Sequence, residues 1–167
     1  MAVIDWVQAA GTTHTPGSSA SYDGNWNTYY GGSQSGGGGN LDCNYTSQHD
    51  FASPVTLSQI KFKLYSKAKT DDYSSSPNVG CSAGVSIYYS AAWHGIPGGV
   101  NCSGKPGIEC TCDTGTHTEN DTWINVESIK ATVSSACGAD HNTFVWCYIY
   151  EIQAWGPPLG GGFAYIL

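Results

Sequence analysis

Hydrophobic and polar residues alternate along several stretches of the chain, and this period of two predicts β-strands. In residues 55–68, Ile60, Phe62 and Leu64 fall on one face, whereas lysines occupy the opposite face. Similar strand patterns occupy residues 3–7, 84–91, 123–135 and 144–155. Alternation that is rich in β-branched and aromatic residues is typical of half-buried antiparallel strands. No stretch keeps apolar residues at helical spacing over three turns, so we expect an all-β protein.

Gly, Ser, Asn and Pro concentrate between these strands and predict long loops. The loop-like stretches are residues 31–40, 70–80 and 93–120. Many strands joined by irregular loops are typical of a sandwich or jelly roll. We therefore predict a single antiparallel jelly-roll β-sandwich with long Gly/Ser-rich loops, which extends over residues 1–156.

Residues 157–167 depart from the strand pattern. Two prolines and a glycine run precede a short apolar segment, residues 163–167. We interpret this part as a tethered apolar C-terminal tail. It either packs back on its own domain or docks on another subunit by extending a sheet or filling a groove.

The charge balance excludes several classes of partner. The 167 residues carry 13 acids and only 6 bases, a net charge of −7, and all six bases are lysines. Proteins that bind nucleic acid or anionic membranes need a basic face, so we expect no nucleic-acid partner and no membrane insertion. No stretch approaches the roughly 20 apolar residues that span a bilayer. The first ten residues lack the basic start of a signal peptide, so we expect either a leader removed earlier or a protein that leaves its cell without one, as a virion protein released by lysis would.

Seven cysteines favour an oxidising compartment, and their odd number leaves at least one thiol free or paired between chains. Cys137 and Cys147 flank a turn-rich stretch between two predicted strands, and we predict a disulfide between them across a hairpin. Cys102, Cys110 and Cys112 lie close together in the sequence, with His117 nearby. Their spacing fits no paired zinc-ribbon motif, so disulfides or free thiols are favoured over zinc there.

Signals for an enzyme are weak. The five histidines lie in separate segments, and no nucleophile elbow, metalloprotease helix or phosphate-binding loop occurs. The adjacent Asp71 and Asp72 fall in a polar stretch, where carboxylates are usually solvated. We therefore expect a protein without catalytic residues.

Three segments carry a family resemblance. Residues 20–30 place Asp-Gly-Asn ahead of a Thr and two aromatics, and residues 50–62 place an acid and an aromatic ahead of an alternating strand. The third, residues 129–156, ends in Tyr-Ile-Tyr-Glu-Ile-Gln-Ala-Trp-Gly. In this order they resemble the early loop, the next strand and the closing strand of the discoidin-like (coagulation factor 5/8 type C, galactose-binding-like) family. The resemblance implies a jelly-roll sandwich with a binding role.

The resemblance also implies a structural Ca²⁺ site between the early loop and the closing strand. Carried over by position, its ligands are Asp23, Asn25, Thr28 and Glu151, together with backbone carbonyls. Ca²⁺ takes six to eight oxygen ligands, which such residues supply. The alternative is an Asx-turn at Asp23 and a solvated Glu151.

Aromatic residues in or near turns are candidates for sugar binding, since a ring face packs on the C–H surface of a sugar while polar groups orient its hydroxyls. The candidates are Trp93, His94, Tyr88 and Tyr29. Trp93 and His94 are the best exposed candidates, because Gly and Pro follow them closely. The alternative for each ring is burial in the core, where Trp and Tyr are common. Many sugar-binding members of the family use an Arg in the pocket, which this chain lacks.

These features together predict a non-enzymatic carbohydrate-binding or adhesion module on an extracellular or virion surface, with a cell-surface or matrix glycan as its partner. The alternative is a structural subunit of a large assembly, such as a virion decoration, tail or fibre protein or an extracellular filament. In that case the C-terminal tail would mediate self-assembly or contact with other subunits.

Overall fold

Nine β-strands and one short 3-10 helix, Ser19–Ser21, make up the described part of the chain in the computed structural model. That part consists of residues 4–37, 39–71, 78–102, 105–106, 108–139 and 142–156. The strands are β1 (Thr13–His14), β2 (Tyr30–Gly36), β3 (Gly39–Thr70), β4 (Asn78–Tyr89), β5 (Ala92–Gly95), β6 (Val100–Asn101), β7 (Lys105–Pro106), β8 (Glu109–Ala139) and β9 (Thr143–Trp155).

Strands β3 and β8 are long, and each belongs to two sheets. Residues 39–50 of β3 pair with 128–139 of β8, whereas residues 59–69 of β3 pair with 109–120 of β8. Register shifts in residues 50–59 separate the two halves of β3. Such bulges bend a strand and increase its twist. One strand pair therefore contributes to both layers.

The first sheet has the order β2, β9, the second half of β3 and the first half of β8. The second sheet has the order β1, the first half of β3, the second half of β8, β4 and β5. Strands β6 and β7 pair with β4 at the same edge as β5. All the pairs are antiparallel.

The two sheets pack face to face. The Ser66 hydroxyl of the first sheet donates to the Ser82 carbonyl of the second at 2.9 Å, and the Cys147 thiol donates to the Cys43 carbonyl at 2.9 Å. Between the sheets lie alternate residues of each strand, each worth about 1.5–3 kcal/mol when fully buried. The largest fully buried apolar side chains are Phe62, Leu57, Ile60, Leu64, Ile87, Ile129, Ile149 and Ile152. The prediction of an all-β sandwich is confirmed.

Two of the predicted loops consist largely of strands, and the third, residues 70–80, includes the start of β4. Residues 31–40 form most of β2 and the start of β3, and residues 93–120 contain most of β5, all of β6 and β7, and the first part of β8. Gly31 shows why a glycine-rich stretch suits a strand here. Its φ is 150°, and a Cβ would collide with the carbonyl oxygen of Cys147 on β9. Glycine permits this close backbone approach.

Two details of the predicted strands are wrong. The alternation in residues 123–135 places Ile124 on the buried side, yet Ile124 is 60% exposed. An extra residue of β8 follows Trp123 where the register shifts, and Asn125 adopts a φ of 58°. This bulge reverses the side on which Ile124 points. In the predicted strand 3–7, the described residues form one isolated bridge, between Asp5 and Trp155.

The predicted disulfide between Cys137 and Cys147 is also wrong, since both residues are free cysteines. Cys137 lies in the second sheet, opposite Leu41 and Val79, whereas Cys147 lies in the first sheet. The end of β8 and the start of β9 thus belong to different layers and do not form a hairpin ladder. A disulfide instead joins Cys102 to Cys110.

The C-terminal tail, residues 157–167, lies outside the described residues, so both interpretations of it stay predictions. Among the residues that the structure describes, no helix has the length and apolar character needed to cross a membrane.

Candidate functional site

The early loop, residues 23–28, follows the 3-10 helix and is held by its own side chains. The Asp23 carboxylate accepts hydrogen bonds from the Asn25 amide at 2.8 Å and from the Thr28 hydroxyl at 2.8 Å. The Asn25 side-chain oxygen accepts the Asn27 amide at 3.1 Å. Gly24 adopts a φ of 80°, a left-handed conformation that glycine tolerates well. Asx-turns therefore shape this loop.

A β-bulge turns Glu151 towards the early loop. Lys63 of β3 lies opposite Glu151, and the next residue, Leu64, lies opposite Ile149, so Tyr150 is the extra residue. Bulges re-aim side chains in this way and are frequent near functional sites. Glu151 is fully buried, and one of its oxygens, Oε1, accepts the Gly24 amide at 3.1 Å.

The environment of Glu151 disfavours its negative charge. Burial is the main cause that raises the pKa of this carboxyl to about 7, and the nearby charges of Asp23 and Asp5 raise it further. The Gly24 amide and the Gln153 side chain lower the same pKa, but by less than burial raises it. The second oxygen, Oε2, is buried and has no hydrogen-bond partner within the described ranges. A buried acceptor without a partner costs about 1–3 kcal/mol.

The residues present fit a Ca²⁺ ion. Asp23 and Thr28 contact each other directly, and the Gly24 amide connects their loop to Glu151. Two carboxylates, a hydroxyl and loop carbonyls supply the hard oxygen ligands that Ca²⁺ takes. A cation would bind the Glu151 Oε2 atom, which has no hydrogen-bond partner in the described part of the chain, and would offset the repulsion between the Asp23 and Glu151 carboxylates. Asn25 fits least well, because its side-chain oxygen already accepts a backbone amide. The ion itself stays a prediction.

An aromatic face covers the outer side of the first sheet. It consists of alternate residues of β9, one residue of β3 and two residues around the early loop: Phe144, Trp146, Tyr148, Tyr150, Tyr65, Trp26 and Tyr29. Along β9, the Phe144 and Trp146 rings stack with centroids 5.8 Å apart, and Tyr148 and Tyr150 lie 6.2 Å apart. The sequence of β9 could have predicted the aromatic face, since aromatic residues occupy every second position and alternate with the aliphatic and cysteine side chains of the other face.

Tyr29 extends the aromatic face from the loop side. Its ring is 47% exposed and lies 4.2 Å from the ring of Tyr148 and 5.8 Å from that of Tyr150. Tyr65 of β3 also stacks on Tyr148, with centroids 6.0 Å apart. Tyr29 is therefore a surface residue within a larger group of rings, as the prediction of a binding role requires.

Lysines of β3 lie among these rings. Lys61 lies over Trp26 at 4.7 Å, Lys63 over Tyr150 at 4.3 Å and Lys67 over Trp146 at 5.9 Å. Such cation–π contacts hold an ammonium group beside a ring face. Lys67 also forms an ion pair with Glu109 at 2.8 Å. The aromatic face thus combines flat rings with hydrogen-bond donors.

The other predicted sugar-binding residues lie on the second sheet and do not form one group. Tyr88 and Trp93 are directly opposite on β4 and β5, with ring centroids 5.4 Å apart, and Lys130 lies 3.7 Å from the Trp93 ring. His94 points to the other face, because successive residues of a strand alternate. There it stacks on Tyr89 at 4.1 Å. The structure separates His94 from Trp93, and both from Tyr29.

A pair of histidines, not found from the sequence, connects the N-terminal segment to β3; His49 is buried and His14 is half-buried. Nδ1 of His14 lies 2.8 Å from Nδ1 of His49, and Nε2 of His49 lies 3.0 Å from the Ser47 hydroxyl. The Ser47 hydroxyl in turn bonds to that of Ser21 at 2.7 Å. Burial, with a smaller effect of His14, lowers the pKa of His49 to about 3. The two histidines are distant in sequence, and only the pairing of β1 with β3 brings them together.

No protein-family model and no curated protein matches the chain. Among solved structures, it is similar to chitosan-binding module 1 from a chitosanase/glucanase of Paenibacillus sp. IK-5, with 12% identity and a TM-score of 0.37, over 91% of this chain and 98% of that one. It is also similar to chains of infectious bursal disease virus. The Gt strain gives 6% identity and a TM-score of 0.26, over 89% of this chain and 42% of that one. The Gx strain gives 8% and 0.24, over 86% and 38%. These values are too low to support an argument about function.

Proposed function

We propose that this protein is a non-enzymatic carbohydrate-binding or adhesion module, which works on an extracellular or virion surface and binds cell-surface or matrix glycans through the aromatic face. The observation that carries this proposal is the half-exposed Tyr29 ring against Tyr148 and Tyr150. Exposed groups of large rings are unusual on a soluble protein and mark binding surfaces.

The chemistry of the aromatic face suits sugars. A pyranose ring presents C–H groups on one side, which pack on an aromatic ring, while its hydroxyls require donors and acceptors around the edge. The Lys61 and Lys63 ammonium groups and the tyrosine hydroxyls supply them. From Phe144 to Tyr150 the rings extend along β9 for about 20 Å at the usual rise of a strand. This length favours an oligosaccharide or polysaccharide over a single terminal sugar.

The proposed Ca²⁺ has a structural role. It would hold the early loop against the bulge of β9, and so fix Trp26 and Tyr29 beside the rings of the sheet. The contact between the early loop and Glu151 supports the resemblance to the discoidin-like family, which implies such an ion. We assign it no catalytic step.

Glycan binding to immobilised polysaccharides and a glycan array tests the proposal. We expect Tyr29→Ala and Tyr148→Ala each to weaken binding at least about fivefold, as loss of one stacked ring costs about 1 kcal/mol or more. Ile124→Ala, another exposed apolar position, is the matched control and should bind normally. Normal binding by both tyrosine variants would exclude the aromatic face. Loss of binding in Trp93→Ala alone would place the site on the second sheet.

The alternative function, a structural subunit of an assembly, depends on the C-terminal tail. Sedimentation of the natively isolated protein separates the two proposals. Large regular particles that bind no glycan would favour the structural subunit, and a monomer that binds glycan would exclude it as the main role.

A further inference from the structure

Four of the seven cysteines come together at one edge of the sandwich. Cys81 lies on β4, Cys102 directly follows β6, and Cys110 and Cys112 lie two residues apart on β8. Their four sulfur atoms all lie within 4.8 Å of one another. This cysteine cluster contains the disulfide Cys102–Cys110 and the two free thiols of Cys81 and Cys112.

Cys81 is the centre of the cysteine cluster. Its sulfur lies 2.8 Å from that of Cys112, 3.1 Å from that of Cys110 and 3.3 Å from that of Cys102. The sequence does not suggest this residue as a partner, because 21 positions separate it from Cys102. His117, which does follow the cysteines closely in sequence, packs instead on Phe62 with ring centroids 5.1 Å apart.

The fold explains why these residues meet. Cys81 belongs to the second sheet, and Cys110 and Cys112 belong to the part of β8 that lies in the first sheet. Because residues two apart on a strand share a face, both sulfurs of β8 point towards β4. Cys81, Cys110 and Cys112 are buried, and Cys102 covers the cluster as a half-buried residue. The cluster therefore bridges the two layers.

We propose that, when its disulfide is reduced, the cysteine cluster binds one Zn²⁺ ion through four thiolates. A dithiol reductant supplies two electrons and two protons to the Cys102–Cys110 bond and becomes a disulfide, whereas a phosphine supplies the two electrons, water supplies the two protons and the phosphine becomes its oxide; either reaction yields two further thiols. Zn²⁺ then displaces the protons of all four thiols and forms four Zn–S bonds. In the oxidised protein the Cys102–Cys110 disulfide takes the place of the ion.

The geometry and the donor type both suit zinc. A tetrahedral site with Zn–S bonds of about 2.3 Å places its sulfurs about 3.8 Å apart. The four sulfurs already lie within 4.8 Å, so small side-chain rotations suffice once the disulfide opens. Four soft thiolates select zinc or iron over calcium and magnesium. A closed set of four cysteines leaves no open position, as in structural sites.

The test uses the whole chain, reduced with a phosphine and freed of metal by a chelator, and Co²⁺ as a spectroscopic probe followed by Zn²⁺ competition. We expect one equivalent of Co²⁺ to give the absorption of a tetrahedral thiolate complex, and one equivalent of Zn²⁺ to remove it. Cys81→Ala and Cys112→Ala should lose this signal. Cys43→Ala, which removes an equally buried cysteine outside the cluster, should keep it.

Circular dichroism identifies variants that do not fold. If Cys112→Ala is unfolded, Cys102→Ala at the half-buried position gives the same comparison. The proposal is overturned if the folded, reduced protein shows no tetrahedral Co²⁺ complex, or if the signal persists in both Cys81→Ala and Cys102→Ala. Occupancy of the isolated protein by iron in place of zinc would overturn the assignment of the metal. None of these outcomes depends on glycan binding.

Discussion

Replacing Glu151 by Gln should change stability in opposite directions with and without Ca²⁺. In metal-free protein above pH 7, the wild type must bury a charged carboxylate. Raising its pKa from 4.5 to about 7 corresponds to a cost of about 3 kcal/mol. The amide side chain of the variant would carry no charge, and its oxygen could still accept the Gly24 amide. We therefore expect Glu151→Gln to be more stable than the wild type by up to about 3 kcal/mol in the presence of a chelator.

The size of this difference between the metal-free wild type and Glu151→Gln depends on pH in a defined way. Below pH 4.5 the carboxyl is protonated in both the folded and the unfolded state, and the difference between wild type and variant is small. As the pH rises from 4.5 to 7, the unfolded chain loses its proton first, so the stability of the metal-free wild type falls relative to the variant. Above pH 7 the difference becomes constant.

Calcium should reverse the order. The ion would bind the folded wild type and stabilise it by an amount that grows with the logarithm of its concentration over its dissociation constant, about 2.7 kcal/mol at a hundredfold excess. Glu151→Gln loses a carboxylate ligand and should gain little. Urea unfolding at pH 8, with EDTA or with excess Ca²⁺, measures all four values.

Glu119→Gln serves as the control, since Glu119 is a half-exposed carboxylate that contacts His117 at 3.4 Å, far from the early loop in sequence. Its stability should respond to Ca²⁺ as the wild type does. If the wild type and Glu151→Gln gain equally from Ca²⁺, Glu151 is not a ligand. If the variant is less stable than the wild type even in EDTA above pH 7, the argument about the buried charge is wrong.

Two further predictions concern buried groups. The contribution of neutral His49 is fully present above pH 6.5 and should be lost as the pH falls towards 3, by about 4–5 kcal/mol in total. Glu151→Gln alone lacks the opposite pH dependence that Glu151 causes, so it serves as the reference. Urea unfolding of the double variant His49→Gln, Glu151→Gln should show an unfolding free energy that varies less with pH than that of Glu151→Gln alone. Equal pH dependence in the two proteins would contradict this prediction. Alkylation of the unfolded, non-reduced protein should label five cysteines, which mass spectrometry counts from the added mass. Only three labelled cysteines would mean that a second disulfide is present.

The two layers of the fold can be predicted from the sequence because apolar residues occupy one face of each long strand without interruption over many residues. In residues 55–68 the alternation correctly separates Ile60 and Phe62, which are buried, from Lys61 and Lys63 on the outer side. This pattern is sufficient to predict a sandwich of two sheets. The same alternation fails at Ile124, because a bulge changes the period locally and leaves no mark in composition.

Loops and long-range pairs are harder to predict from the sequence. A glycine-rich stretch such as residues 31–40 has the composition of a loop, and only the close approach of Cys147 to Gly31 explains why it forms a strand. The cysteines show the same limit. Cys137 and Cys147 are close in sequence but lie in different sheets, whereas Cys81 and Cys112 meet because β4 and the first half of β8 belong to facing layers.

The proposed Ca²⁺ site and the aromatic face are adjacent parts of one structure. The bulge that buries Glu151 is made by Tyr150, whose ring belongs to the aromatic face, and the early loop carries Trp26 just before Tyr29. The backbone of β9 pairs with β2 on one side and β3 on the other, so its rings start from a fixed strand and are already in position for a ligand, whereas Tyr29 depends on the loop. An ion at Glu151 would therefore act on binding through the position of Tyr29, while the rings of β9 would keep theirs.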